Sequence, residues 1–139
     1  IADANKGDPS AQLKLSVIYS RGIVVDKSPE ESRYWLIVAA DNSDPEANFF
    51  LGEQYLIGTS FRRNIPEALR RLQVSANRGY KKSIQIVGVI KYGLYGSSFM
   101  DLDKAKKYLK MSSEYGNGFA SFLLSCIYKY DLPDEGKPY

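Results

Sequence analysis

SDPEANFFLGEQYLIG, residues 43–58, is the stretch from which the fold follows. Asp44 before Pro45 sets a capping carboxylate ahead of a proline suited to the first helical position. From Ala47 onward the apolar residues fall at helical spacing. A related stretch stands 36 residues earlier, GDPSAQLKLSVIYSRG at 7–22, and another 36 residues later, GYKKSIQIVGVIKYG at 79–93. A fourth, GNGFASFLLSCIYKYD at 116–131, follows after 37. Self-similarity at such a period marks stacked supersecondary units, each packing on its neighbours.

Between these stretches lie others with helical periodicity: SPEESRYWLIVAADNS at 28–43, NIPEALRRLQVSANRG at 64–79 and DLDKAKKYLKMSSEYG at 101–116. Ser28 with Glu31, and Asn64 with Glu67, have capping-box spacing. Gly7, Gly79 and Gly116 stand where a left-handed residue ends a preceding helix. The pattern predicts seven helices, 9–21, 29–41, 45–57, 65–78, 80–92, 102–115 and 117–130, with no strand. Small residues recur at Ala11, Ala47, Ser83 and Ala120, and at Ala4, Ala40, Ala76 and Ser113, where helix axes approach closely. Leu15, Leu51, Val87 and Leu124 recur in the first helices, and Leu36, Leu72 and Leu109 in the second, as packing residues. The expected organisation is a single domain over 1–139, with repeats at 7–42, 43–78, 79–115 and 116–130 and a tail at 131–139.

The first helices follow small-x-x-x-Leu-Gly-x-x-Tyr-x-x-Gly and the second helices Lys/Glu-Ala-x-x-x-Leu/Trp-x-x-Ala-Ala-x-x-Gly. The fit is best at Leu51, Gly52, Tyr55, Gly58, Glu67, Ala68, Leu72 and Ala76, and extends to Leu15, Tyr19, Gly22, Trp35, Ala39 and Ala40. This pattern resembles the Sel-one-like repeat family, relatives of the tetratricopeptide repeats. The third cycle departs from it: Lys91 replaces the tyrosine, and Gly93 and Gly96 are shifted. The resemblance implies an all-α, right-handed α-solenoid of about three and a half helix-turn-helix repeats, whose first helices line a concave face. It implies a protein partner, with adaptors, scaffolds, secreted virulence factors and periplasmic immunity proteins against secreted toxins as the forms such arrays take.

Carried onto this sequence, the concave strip comprises Leu13, Val17, Arg21, Glu46, Phe49, Glu53, Leu56, Lys82, Gln85, Val89, Tyr92, Phe119, Phe122 and Tyr130. Its apolar and aromatic character is that of an interface core. The plainer alternative is that several of these side chains pack between repeats. The third loop, 95–100, adds Tyr95, Phe99 and Met100 beside it.

The chain has 139 residues, 44% of them apolar, and when compact such a length buries about 68% of its unfolded surface. No apolar run approaches a membrane span. There is no histidine, so the usual general base near neutral pH and every Ser-His-Asp or Cys-His arrangement are missing. One cysteine forbids an internal disulfide and leaves zinc without a ligand set. Cys126 reads as a buried structural thiol. Gly93-Leu94-Tyr95-Gly96 lacks the Lys and Ser/Thr of a phosphate loop. No catalytic, cofactor or metal site is therefore expected, and no small-molecule substrate.

Net charge is +3 but segregated: residues 1–61 carry 5 basic and 9 acidic groups, 62–110 carry 12 and 3, and 111–139 carry 2 and 4. The central basic block, with Arg62, Arg63, Arg70, Arg71, Lys106 and Lys107 among its members, reads as the solvated face of second helices. An acidic protein partner, and nucleic acid or anionic lipid, are its alternatives. Residues 2–7 repeat the pattern that ends a second helix at 75–79, so they read as the tail of an upstream helix. A removed leader or repeat is the expectation, and with it a periplasmic or secreted location.

Overall fold

The helix starts are fixed by side-chain caps. Asp8 accepts from the Ser10 amide, Ser28 from Glu31, Asp44 from Ala47 and Asn64 from Glu67, all at 3.1–3.2 Å. Asp101 and Asn117 do the same for the Lys104 and Ala120 amides. Each cap satisfies a backbone donor that has no partner inside its helix.

A computed structural model describes residues 1–131, with side chains to residue 129. The elements are α1 (Ala2–Asn5), α2 (Pro9–Arg21), α3 (Pro29–Asp41), α4 (Pro45–Ile57), α5 (Ile65–Asn77), α6 (Lys81–Tyr92), a 3-10 turn (Ser97–Phe99), α7 (Leu102–Glu114) and α8 (Gly118–Asp131). Among the described residues there is no strand. The seven expected helices are present, and α1 is an eighth, at the position of the second-helix tail read from residues 2–7.

The chain divides into two compact units, residues 1–83 and 84–139. In the first, Leu13, Leu36, Ala39, Ala40, Ala47 and Leu51 form a buried cluster, with Ile37, Phe50, Tyr55 and Phe61 against it. In the second, Val89, Ala105, Leu109, Ala120, Leu123 and Ile127 form another, with Tyr92 and Leu124 against it. Leu124, expected in the core, is only half-buried, and Cys126 is half-buried rather than buried.

Two repeating details set the period. The N–H of each second-helix cap donates to a carbonyl in the preceding first helix: Ser28 to Tyr19, Asn64 to Tyr55 and Asp101 to Lys91, at 3.0, 2.9 and 2.8 Å. The third closure spans one residue more, so the extra residue of the 37-residue cycle sits in the loop, with Gly93 and Gly96 at positive φ. The second detail is a polar staple across eight residues. Gln12 Nε2 donates to the Ala4 carbonyl and Asn48 Nδ2 to the Ala40 carbonyl, both at 2.9 Å. Ser113 pairs with Ser121 at the equivalent place, and Ser83 donates to Ser75 one residue earlier in its cycle, both at 2.6 Å. Each ties the start of one first helix to the last turn of the second helix before it.

A third column of small residues separates first from second helices. Ser16, Gly52, Gly88 and Ser125 are repeat-equivalent. A Cβ on Gly52 would stand 2.6 Å from Leu72 Cγ, and one on Gly88 2.9 Å from Leu109 Cδ2. Ser16 instead donates to the Ser32 carbonyl at 2.6 Å.

Candidate functional site

In the first unit, α2 and α4 enclose an open surface. Leu13, Val17, Arg21 and Phe50 line two adjoining cavities of about 620 and 250 Å³. The larger adds Ser10, Lys14, Ile18 and Glu46; the smaller adds Ser16, Ser20, Ser32, Leu36 and Gln54. The floor is apolar, and Lys14, Arg21 and Glu46 are exposed around it. Apolar centre and charged rim are the layout of a protein contact.

The expected strip is only partly assembled here. Leu13, Val17, Arg21 and Glu46 come together around the larger cavity. Phe49 does not join them, because it is 4% exposed. Its ring packs 5.2 Å from Tyr80, and Lys82 Nζ lies 5.8 Å from its centroid. Leu13, Leu56 and Val89 are also buried, so they chiefly pack. Glu53, Gln85 and Tyr92 are half-buried, while Val17, Phe119 and Phe122 are exposed. The Tyr130 side chain lies outside the described residues. In the third loop Tyr95 and Met100 are exposed and Phe99 is half-buried.

Phe50, Lys14 and Gln54 line the cavities although the pattern did not single them out. Phe49 and Phe50 are adjacent on a helix that is apolar nearly all round, so periodicity does not separate their faces. The signal was in the first repeat: Lys14 occupies the position of Phe50, and a lysine there marks a solvated face.

The electrostatics are local. Burial chiefly, with the Glu46, Asp44 and Glu53 carboxylates adding to it, pushes the Tyr80 phenol up. Arg71, read as part of a solvated block, is buried and paired with Asp41 at 2.8 Å and Glu67 at 3.1 Å. Arg70 also binds Glu67, at 2.6 Å. Arg71 is consumed in pairing, whereas Arg70 makes its pair at an exposed position. Each α2–α4 cavity holds at most one carboxylate, Glu46 in the larger, so neither offers the two converging acids of carboxylate catalysis. Among the described residues no helix is long and apolar enough to cross a membrane.

The Sel1 repeat matches the chain three times, at residues 9–44, 45–80 and 88–117. A Sel1 repeat protein from Oxalobacter formigenes superposes with a TM-score of 0.80 at 26% identity, over 89% of this chain and 92% of its own. A protective antigen of uropathogenic Escherichia coli with an SLR fold gives 0.79 at 22% identity, over 94% of this chain and 28% of its own. Both place the chain in the α-solenoid class. In sequence it is 29% identical over 96 residues to an uncharacterized protein of Neisseria meningitidis serogroup B, covering 68% of this chain. It is 34% identical over 76 residues to the DAP3-binding cell death enhancer 1 of Rattus norvegicus, covering 55% of this chain. The matches span 20% and 14% of those two proteins.

Proposed function

The chain belongs to the Sel1 repeat family, whose solenoids mediate protein–protein interaction and are generally non-enzymatic, and we propose that its own contact surface is the α2–α4 face around Val17. The observation that carries this reading is the pair of adjoining cavities with an apolar floor and the charges of Lys14, Arg21 and Glu46 around it. A protein partner places an apolar side chain over Leu13 and Phe50 and meets Arg21 with a carboxylate. The name of the rat relative, a DAP3-binding protein, is in keeping with a protein ligand. The finer form carried here is an immunity protein that occludes a secreted toxin in the periplasm, with an adaptor or a secreted virulence factor as the alternative.

The test is capture of partners from the source cell, identification by mass spectrometry, and titration calorimetry against the purified partner. Val17→Asp and Arg21→Glu, both at exposed positions, are expected to weaken binding at least tenfold with the helical spectrum intact. Reversal of Lys106 and Lys107 is expected to change it little. Binding that survives both cavity variants and is lost on lysine reversal overturns the reading. An enzyme toxin inhibited at one-to-one stoichiometry supports the immunity form; a captured partner with no toxic activity favours the adaptor.

A further inference from the structure

Asn117 is the one asparagine of the chain followed by glycine; every other precedes a residue with a side chain, Lys6, Ser43, Phe49, Ile65 or Arg78. The pair has its own chemistry. The backbone nitrogen of the following residue can attack an asparagine side-chain amide, and glycine leaves that nitrogen least hindered and the backbone freest to turn. Gly118 is exposed, and a Cβ added to it would meet nothing within 4 Å. It is the first residue of α8, so its N–H has no acceptor inside the helix. At the same place in the other cycles stand Asp8 before Pro9, Asp44 before Pro45 and Tyr80 before Lys81. Proline has no N–H, so the first two cycles are closed to this reaction. Lys81, the equivalent of Gly118 in the middle of the chain, is exposed as well.

The folded joint holds the reacting atoms in place. Asn117 Oδ1 accepts from the Ala120 amide at 2.7 Å, against 3.1–3.2 Å at the other five caps. The Asn117 carbonyl accepts from the Ser121 amide at 3.1 Å and from the Ser121 hydroxyl at 3.2 Å. The Asn117 N–H donates to the Ser112 carbonyl at 3.1 Å. These bonds fix both the side-chain amide and the peptide plane that must turn before the Gly118 nitrogen can reach Asn117 Cγ.

We propose that Asn117–Gly118 is a self-modification site whose rate is set by opening of the α8 cap. In the open state the Gly118 nitrogen gives its proton to solvent base and bonds to Asn117 Cγ, the Cγ–Nδ2 bond breaks, and ammonia leaves. Solvent water then opens the cyclic imide. Breaking the bond from the Gly118 nitrogen to Cγ yields aspartate. Breaking its bond to the Asn117 main-chain carbonyl carbon yields isoaspartate, with the chain rerouted through Cβ and Cγ. The two products act oppositely on the fold. Aspartate is the cap already used at positions 8 and 44, and its charge suits a helix N-terminus. Isoaspartate adds a methylene to the joint between α7 and α8 and takes the carbonyl that Ser121 binds out of the main chain. The site is separate from the α2–α4 cavities, and the proposal stands whether or not those bind a partner.

The experiment ages the full chain at mildly alkaline pH, folded and in urea, and maps it by peptide mass spectrometry, with enzymatic methylation marking isoaspartate. In urea Asn117 is expected to lose its amide before any other asparagine. In the folded chain the loss should be at least about tenfold slower, which is about 1.4 kcal/mol of opening. Leu123→Ala, which loosens α8 from its cluster, should bring the folded rate towards the urea rate. Gly118→Ala keeps the fold, since its methyl meets nothing, and should slow the reaction in both conditions. Asn117→Asp should hold or raise the thermal midpoint, whereas chains enriched in isoaspartate should exchange the amides of α8 faster. Equal rates in the folded and urea-treated chain overturn the proposal, as does a folded rate unmoved by Leu123→Ala. So does prior loss at another asparagine in urea, or a urea rate unchanged by Gly118→Ala.

Discussion

Phe49 shows how one position changes meaning with burial. Pattern alone leaves it between groove and core, and the Tyr80 ring against it decides for core. Phe49→Ala is therefore expected to cost about 3–5 kcal/mol of stability, read by urea unfolding. A loss under about 1 kcal/mol would mean that the ring is not packed as described. Gly52 offers a sharper contrast. Alanine gains about 1 kcal/mol over glycine in a helix interior. Here the added methyl would lie 2.6 Å from Leu72 Cγ and 3.1 Å from the Ala68 carbonyl. Overpacking of about 1–3 kcal/mol makes Gly52→Ala neutral to destabilising. Gly118→Ala meets nothing within 4 Å and should be neutral to stabilising. The two thermal midpoints should move apart. Ser43 gives the opposite sign. It holds φ at 67°, at the repeat position where Gly7, Gly79 and Gly116 stand at 94°, 85° and 89°. Ser43→Gly relieves a left-handed strain of about 1–2 kcal/mol and loses about 0.5–1 kcal/mol to chain entropy. A small net gain in midpoint is the expected outcome.

At the scale of the element, α5 carries the ionic network. The hydrogen bond from Arg70 chiefly, with another from Arg71, holds the Glu67 carboxyl below its ordinary 4.5 against the opposing effect of burial. A depressed carboxyl contributes stability above its unfolded pKa and loses it as pH falls through the folded one. Stability should therefore drop as pH falls from about 4.5 into that lower range, and less so in Glu67→Gln. The effect is modest because Arg70 is largely exposed. Chemical denaturation at stepped pH reads it, and parallel curves for the two proteins would sink it. The helices themselves were legible from Asp8, Ser28, Asp44 and Asn64, because a cap writes its geometry in one residue type one or two places before a proline. What α5 does with its charges was not legible. Arg70 and Arg71 are the same residue type, and only Arg71 is buried and paired with Asp41 on a different helix. The same holds at the site. Leu13 and Val17 line the cavities as their repeat position suggests, while Phe49 and Phe50 differ by a rotation of the helix that composition does not encode. The column Ser16, Gly52, Gly88, Ser125 was readable from the period but was masked by its mixed residue types.

At the scale of the molecule, stability in a repeat array is close to a sum of units and nearest-neighbour terms. Leu109 is fully buried in the second unit. Leu109→Ala should cost about 2–5 kcal/mol and should not spread evenly. Amide exchange is expected to accelerate most in α7 and α8 and least in α2 and α3. Uniform acceleration over residues 1–131 would mean that the chain opens as one body. The eight-residue staples give this modular behaviour a further consequence. Gln12 and Asn48 close a carbonyl of the helix before them from a fixed place in their own cycle. A cut and rejoining that keeps the phase of the cycle recreates the bond at the new seam wherever the cycle copied there brings Gln12 or Asn48. One that shifts the phase leaves the carbonyl open and the donor misplaced. Loops between the helices of a cycle can vary in length, as the third one does, but the joint between cycles cannot. Arrays of this chain can therefore be lengthened or shortened by genetic duplication in whole cycles, and the bond acts as the proofreader of that arithmetic.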